Sequence, residues 1–101
     1  VRMAAPWPNP ANPATSVALR AAPGSEIRLR VIDLRGRLVR TARVTADQDG
    51  RAVWAFDGRD ARGRAVPSGV YRCVAEVAAG GAGAPGGRLA GFAARSLTIV
   101  Q

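Results

Sequence analysis

The sequence of 101 residues contains no lysine, no histidine and one cysteine, and aromatic residues make up only 5% of it. Without histidine, the chain has no Ser-His or Cys-His catalytic pair and no imidazole metal ligand. Without lysine, it cannot form a Schiff base or supply the lysine of a phosphate-binding loop. No run of 18 apolar residues is present, so we expect no membrane span. These absences exclude most common hydrolase, kinase and aldolase schemes, and we expect a protein that is not an enzyme and uses no cofactor.

The charge is strongly positive and is carried by arginine alone. There are 15 arginines against 7 acidic residues, for a formal net charge of +8. A basic chain of this kind could bind nucleic acid through its phosphates. However, the arginines are spread over every predicted element, and few aromatic residues are left to stack on bases. A basic nucleic-acid-binding β domain therefore stays open as an alternative.

Apolar and polar residues alternate with a period of two along most of the chain, which is typical of half-buried strands. Glycine and proline interrupt every long stretch, and no window has the spacing of a helix. The predicted strands cover residues 15–20, 26–33, 37–45, 51–56 and 70–78, and a last strand or strand pair covers 88–100. Six to seven short strands in a chain of this length predict an all-β fold, a small antiparallel β-sandwich.

Residues 1–14 form a Pro/Asn-rich segment ahead of the predicted sandwich at 15–101. Its four prolines fix their own φ and exclude a helix. Because the chain opens on Val1 rather than Met, we expect a processed product or a piece of a longer polypeptide. The segment is interpreted either as a lead-in or linker from a preceding domain, or as a strand that pairs with a sheet edge of a neighbouring subunit.

Acidic residues and glycines mark the predicted turns. Asp33 and Gly36 predict a hairpin turn, in which the carboxylate caps amides two residues further on and the glycine supplies a positive φ. Asp49-Gly50 predicts a type I′ hairpin, which needs a positive φ at both residues. Gly69, after Ser68, marks another turn.

A polar loop follows the fourth predicted strand. Asp57 and Asp60, with Gly58 and Gly63, predict a compact loop whose carboxylates accept backbone hydrogen bonds. The same two carboxylates are calcium candidates, because Ca²⁺ prefers oxygen ligands, although their spacing does not match the 12-residue calcium loop.

Several side chains are predicted to point into the core. Trp54 and Phe56 share one face of their strand, and Tyr71 should pack its ring inside with its hydroxyl at the rim. Cys73 shares the inward face with Tyr71, so we interpret it as a small buried hydrophobe rather than a reactive thiol.

Three segments in order, 8–15, 31–40 and 56–71, resemble an Ig-like domain found in two groups of bacterial proteins. One is the Ig-like domain of the flagellar hook-capping protein, and the other is the type A C-terminal sorting domain of the type IX secretion system. Phe56 stands where the family usually has tryptophan, and Ala11 replaces the usual aromatic residue. The residues that carry the structural pattern are Asn9, Asn12, Asp33, Gly36, Trp54, Phe56, Asp57, Gly58, Asp60, Gly63, Gly69 and Tyr71.

The resemblance implies an Ig-like (fibronectin-III-like) sandwich without catalytic activity. We expect a C-terminal module of an exported bacterial protein, extracellular or at the cell surface, that acts in secretion, surface attachment or assembly. A structural subunit of an extracellular filament or hook-like appendage is the alternative. The expected partners are proteins: secretion or surface machinery, the parent polypeptide, or identical subunits that pair through sheet edges.

Overall fold

The computed structural model describes residues 1–78 and 89–101, which form seven strands in two antiparallel sheets. The strands are β1 (Arg2–Met3), β2 (Thr15–Arg20), β3 (Glu26–Asp33), β4 (Leu38–Thr45), β5 (Arg51–Phe56), β6 (Gly69–Ala78) and β7 (Leu89–Ile99). No helix occurs in these residues, so the described part of the chain contains no helix that could cross a membrane. The predicted all-β sandwich is confirmed.

The two sheets contain three and four strands. The three-stranded sheet has the order β1-β2-β5, and the four-stranded sheet has the order β4-β3-β6-β7. In constant-type immunoglobulin domains, the fourth strand belongs to the sheet of the first, second and fifth strands. Here β4 pairs with β3 instead, which moves the fourth strand to the other sheet.

The core lies between the sheets and is filled from inward-facing positions of β2, β3, β5, β6 and β7. In β2 and β5, every second residue is buried and the residues between are exposed, as the period-two pattern predicts. The largest fully buried side chains are Phe56, Ile27, Leu29, Leu97, Ile99, Val17, Val31 and Cys73. The inward face predicted for Trp54 and Phe56 is present, and their rings stack with centroids 5.2 Å apart.

A β-bulge explains the weak alternation of the third predicted strand. The pairing of β3 with β4 runs from Val31↔Arg40 to Ile32↔Leu38, so Val39 is the extra residue. The bulge allows Val39 to pack partly against the core while the adjacent Leu38 stays exposed.

The boundary predicted at residue 15 does not mark the start of the sandwich. Within the segment 1–14, β1 pairs with β2, and the side chains of Met3 and Ala11 are buried in the core. Ala11 also forms a parallel bridge to Ile99 of β7. The segment thus pairs with both sheets of its own domain, where the sequence had suggested a linker or a strand for a neighbouring subunit.

Candidate interaction surface

Three loops share the sequence Asp-x-x-Gly-Arg and the same conformation. They span residues 33–37, 47–51 and 60–64. In each, the aspartate amide donates to the arginine carbonyl and the glycine amide donates to the aspartate carbonyl, at 2.8 to 3.0 Å. One carboxylate oxygen accepts the amides two and four residues further on, also at 2.8 to 3.0 Å. The repeated five-residue motif is a signal in the sequence that single-turn reasoning missed.

The loop at 47–51 corrects the predicted type I′ hairpin. Among the described residues, only glycines have a positive φ, so Asp49 does not adopt the required conformation. The turn is closed by Gly50 alone, with φ of 78°, because the fifth residue of the motif gives the loop one more position than a two-residue hairpin has.

In each motif, the loop hydrogen bonds lower the pKa of the aspartate at the first position. For Asp33, Asp47 and Asp60, the largest cause is the amide of the arginine four residues later, and the amide two residues later adds to it. Partial desolvation opposes this effect. A carboxylate that accepts two amides is favoured in its charged form, so each motif is held together by an ionised aspartate.

The predicted loop after β5 is tied to β4 by one arginine. Nη1 of Arg40 donates to Oδ1 of Asp57 at 3.1 Å and to the carbonyl oxygen of Arg59 at 2.8 Å. The same Oδ1 accepts the amide of Arg59 at 2.9 Å. Asp57 and Asp60, the calcium candidates, thus each use a carboxylate oxygen within the protein. The described residues bring together no group of three or more acidic or cysteine side chains suited to a metal ion.

Gly58 stands where the chain approaches itself closely. Its φ is +76°, and a Cβ built there would lie 2.7 Å from Cβ of Pro13. At Gly63, which also has a positive φ, the same added atom would meet nothing within 4 Å. Gly58 is therefore required for close contact as well as for backbone conformation, whereas Gly63 is required for conformation alone.

Tyr71 and Cys73 project inward from the start of β6. The hydroxyl of Tyr71 donates to the carbonyl oxygen of Pro67 at 2.6 Å. Burial, and then the negative charge of Asp33, raise the pKa of this hydroxyl. Burial also raises the pKa of the Cys73 thiol to about 11, which keeps it protonated and unreactive at neutral pH. Both side chains are structural.

Of the two asparagines that the sequence singled out, Asn9 fixes the segment 1–14 to β7 and Asn12 does not. Oδ1 of Asn9 accepts the amide of Thr98 at 3.0 Å, and its Nδ2 donates to the carbonyl oxygen of Ser96 at 3.3 Å. The amide of Ala11 donates to the carbonyl oxygen of Thr98 at 2.7 Å, and its carbonyl oxygen accepts the amide of Val100, just after β7, at 2.8 Å. The side chain of Asn12 is exposed. The edge of β7 is therefore covered by the protein's own chain over the last part of the strand, from Ser96 onward.

Gln101 holds the loop between β5 and β6 at the same end of the sandwich, a role that the sequence did not reveal. Nε2 of Gln101 donates to the carbonyl oxygen of Val66 at 2.7 Å and to that of Gly58 at 3.3 Å. Its amide donates to Oγ of Ser68 at 2.9 Å, one residue before Gly69 begins β6. These bonds connect the end of the chain to the loop between β5 and β6.

The outer face of the four-stranded sheet carries both signs of charge. Glu26 lies within ion-pair distance of Arg28 and Arg43, at 3.9 and 3.5 Å. Arg30 contacts Glu76 on the adjacent strand β6. The exposed pairs of Glu26 contribute little to stability, and together with the part-buried Arg30–Glu76 pair they leave this face with mixed charge.

The outer face of the three-stranded sheet differs, because β1, β2 and β5 contain no acidic residue. Arg2 lies opposite Arg20, and Arg20 lies opposite Arg51, so three arginines form one row across the sheet. We call these three residues the arginine row. The sequence suggested that arginines were spread evenly, but strand pairing gathers these three from distant positions.

Two uncharged rows follow the arginine row on the same face. The first consists of Ala4, Ala18 and Val53, and the second consists of Trp7, Ser16 and Ala55. We call these six residues the apolar rows. Val53 is 65% exposed and Trp7 is 78% exposed, so the face presents apolar surface bordered on one side by cations.

Comparison with known proteins gives one family. A family model for the FlgD Ig-like domain matches residues 9–81, more than half of the chain. No curated protein and no solved structure was found to match. The comparisons support the flagellar hook-capping part of the resemblance and not the type IX sorting part. The chain belongs to the FlgD Ig-like domain family.

Proposed function

We propose that this domain is a structural, protein-binding module that acts in assembly of a flagellar hook or a closely related extracellular appendage. The family match carries the proposal, because the family is named for the Ig-like domain of the hook-capping protein. The domain would work outside the cell, where such an appendage is built, and it would act by surface contact.

The architecture supports this role. The first carboxylate of each Asp-x-x-Gly-Arg motif is engaged within its loop, and the thiol of Cys73 is buried. The segment 1–14 covers the β7 edge, which removes one of the free edges through which sandwiches associate unspecifically. The faces of the sheets remain broad exposed surfaces on which a specific partner would dock.

Deletion of residues 1–101 from the gene in its own bacterium tests the proposal. We expect hooks that are missing or short by electron microscopy, with hook subunits released into the medium. A matched control strain carries Leu34→Ser, since Leu34 is 81% exposed in a loop and its loss should leave hooks normal. Normal hooks in the deletion strain would refute the proposed function.

A further inference from the structure

We propose that the outer face of the three-stranded sheet is the docking surface for an acidic, partly apolar segment of a protein partner. The arginine row would meet the acidic side chains, and the apolar rows would receive the apolar ones. This inference rests on the proposed function, because it names the part of the domain that would contact the appendage.

The arginine row places like charges beside one another. Residues directly opposite on adjacent antiparallel strands have Cβ atoms about 4.5–5.5 Å apart. Arg20 therefore has a cation on each side, from Arg2 and Arg51. No ion pair within 4 Å involves these three side chains in the part of the chain that the structure describes. Three adjacent exposed guanidinium groups favour carboxylate groups, which arginine can bind in a bidentate manner.

The carboxylate of Asp47, which feels the charge of Arg51, is already engaged in its own loop. The pKa of Asp47 is lowered first by the backbone amide of Arg51, and the charge of Arg51 also contributes. Its Oδ1 accepts the amides of Asp49 and Arg51 within the turn. The Asp47 carboxylate therefore lies near one end of the row but serves the loop.

A fourth arginine extends the cationic border. Nε of Arg95 on β7 donates to the carbonyl oxygen of Met3 at 2.9 Å, which positions its guanidinium beside β1. A groove of about 920 Å³ is lined by residues of β1, β2, β5 and β7, and its charged lining residues are all arginines: Arg2, Arg20, Arg51 and Arg95. The bond to Met3 also occupies a carbonyl group at the β1 edge, which favours docking on the face over strand addition.

The apolar rows distinguish a protein partner from a nucleic acid. Successive rows lie two residues apart along each strand, so the apolar rows reach about 13–14 Å from the arginine row. They contain no charge. A nucleic-acid backbone would need further cations along its path, and the face offers one aromatic side chain, Trp7, for stacking. An apolar centre with a charged border is the usual arrangement of a protein interface.

The central arginine gives the sharpest test. Arg20→Glu should lower the affinity of the 101-residue chain for the purified hook subunit of its own bacterium by about tenfold. The same change should raise the melting temperature, because a repulsive row becomes an alternating one. A residue with a merely structural role would not combine weaker binding with greater stability. The matched control is Arg72→Glu, an exposed position on the other sheet with the same change in net charge.

The apolar rows are tested by a second pair of variants. Val53→Glu should weaken binding by about tenfold, because it places a negative charge against an acidic partner. Val70→Glu is its control, since Val70 is also an exposed strand valine and lies on the four-stranded sheet. Binding is measured by titration calorimetry, with a duplex DNA oligonucleotide as the competing probe.

The possible outcomes separate the alternatives. Equal losses in Arg20→Glu and Arg72→Glu would mean attraction by net charge alone and would overturn the inference. Unchanged binding in Arg20→Glu and Val53→Glu, or no binding by the unmodified chain, would also overturn it. If Arg20→Glu lost DNA binding but kept hook-subunit binding, the face would be a nucleic-acid site instead. The deletion strain tests the proposed function independently of these binding measurements.

Discussion

The phenolic oxygen of Tyr71 lies 2.6 Å from the carbonyl oxygen of Pro67, four residues earlier in the chain, and donates its hydrogen to it. A tyrosine near the start of the sixth strand that bonds back to the upstream backbone is the tyrosine corner of immunoglobulin-like sandwiches. The contact fixes the loop between the two sheets to the strand that follows it.

Replacement of Tyr71 by phenylalanine should destabilise the fold while keeping the ring in the core. The lost hydrogen bond leaves the Pro67 carbonyl without this donor, at a cost of about 1 kcal/mol. Urea unfolding followed by circular dichroism measures the change. An unchanged midpoint would mean that the corner contributes nothing to stability.

Replacement of Gly58 by alanine should destabilise the domain more than replacement of Gly36. Both glycines have a positive φ, +76° and +82°, so both variants bear the same backbone strain, about 1 kcal/mol. Only at Gly58 would the new methyl group collide with Pro13, at 2.7 Å. Thermal melts of the two variants isolate the collision, and equal losses would show that residue 13 moves aside freely.

Stability should fall as the solution becomes acidic, because the pKa values of Asp33, Asp47 and Asp60 are lowered in the folded state. Their contribution is fully present above the ordinary value of 3.8 and is lost as the pH falls through the lower folded values. The triple variant Asp33→Asn, Asp47→Asn and Asp60→Asn should therefore show a flatter melting temperature between about pH 5 and pH 2.

Asp49→Asn serves as the control for this measurement. Asp49 lies in the same loop as Asp47, but the loop amides donate to the carboxylate of Asp47 and not to that of Asp49. Its acid profile should follow that of the unmodified chain. If the triple variant kept the original acid sensitivity, the loops would not be its source.

Removal of residues 1–14 should lower the melting temperature and promote self-association. The truncation takes Met3 and Ala11 out of the core and exposes the edge of β7, and free edges pair with other chains. Light scattering after size exclusion detects the dimers. Within the segment, Asn9→Ala should reproduce part of the loss, whereas Asn12→Ala should not. A stable monomeric truncation would contradict the role given to this segment.

The alternation of apolar and polar residues predicted the strands well, but the pairing of the strands determines which side chains lie together on each face of the sandwich. The predicted strands at 15–20, 26–33 and 51–56 have the bounds of β2, β3 and β5, because alternation is strong there. Strand β1 was missed, because Arg2 and Met3 are too short a run to alternate. The grouping of Arg2 with distant arginines depends on strand register, which a count of residues along the chain does not contain.

The first and last residues lie at opposite ends of the sandwich, whose longest dimension is 39 Å. Val1 lies beside Gly91 at one end, and Gln101 bonds to Ser68 at the other. Tension applied between them would run along the strands, so β1 and β7 would be loaded in shear and their hydrogen bonds would share the force. The domain should therefore resist a pull along its length far better than a sideways peel.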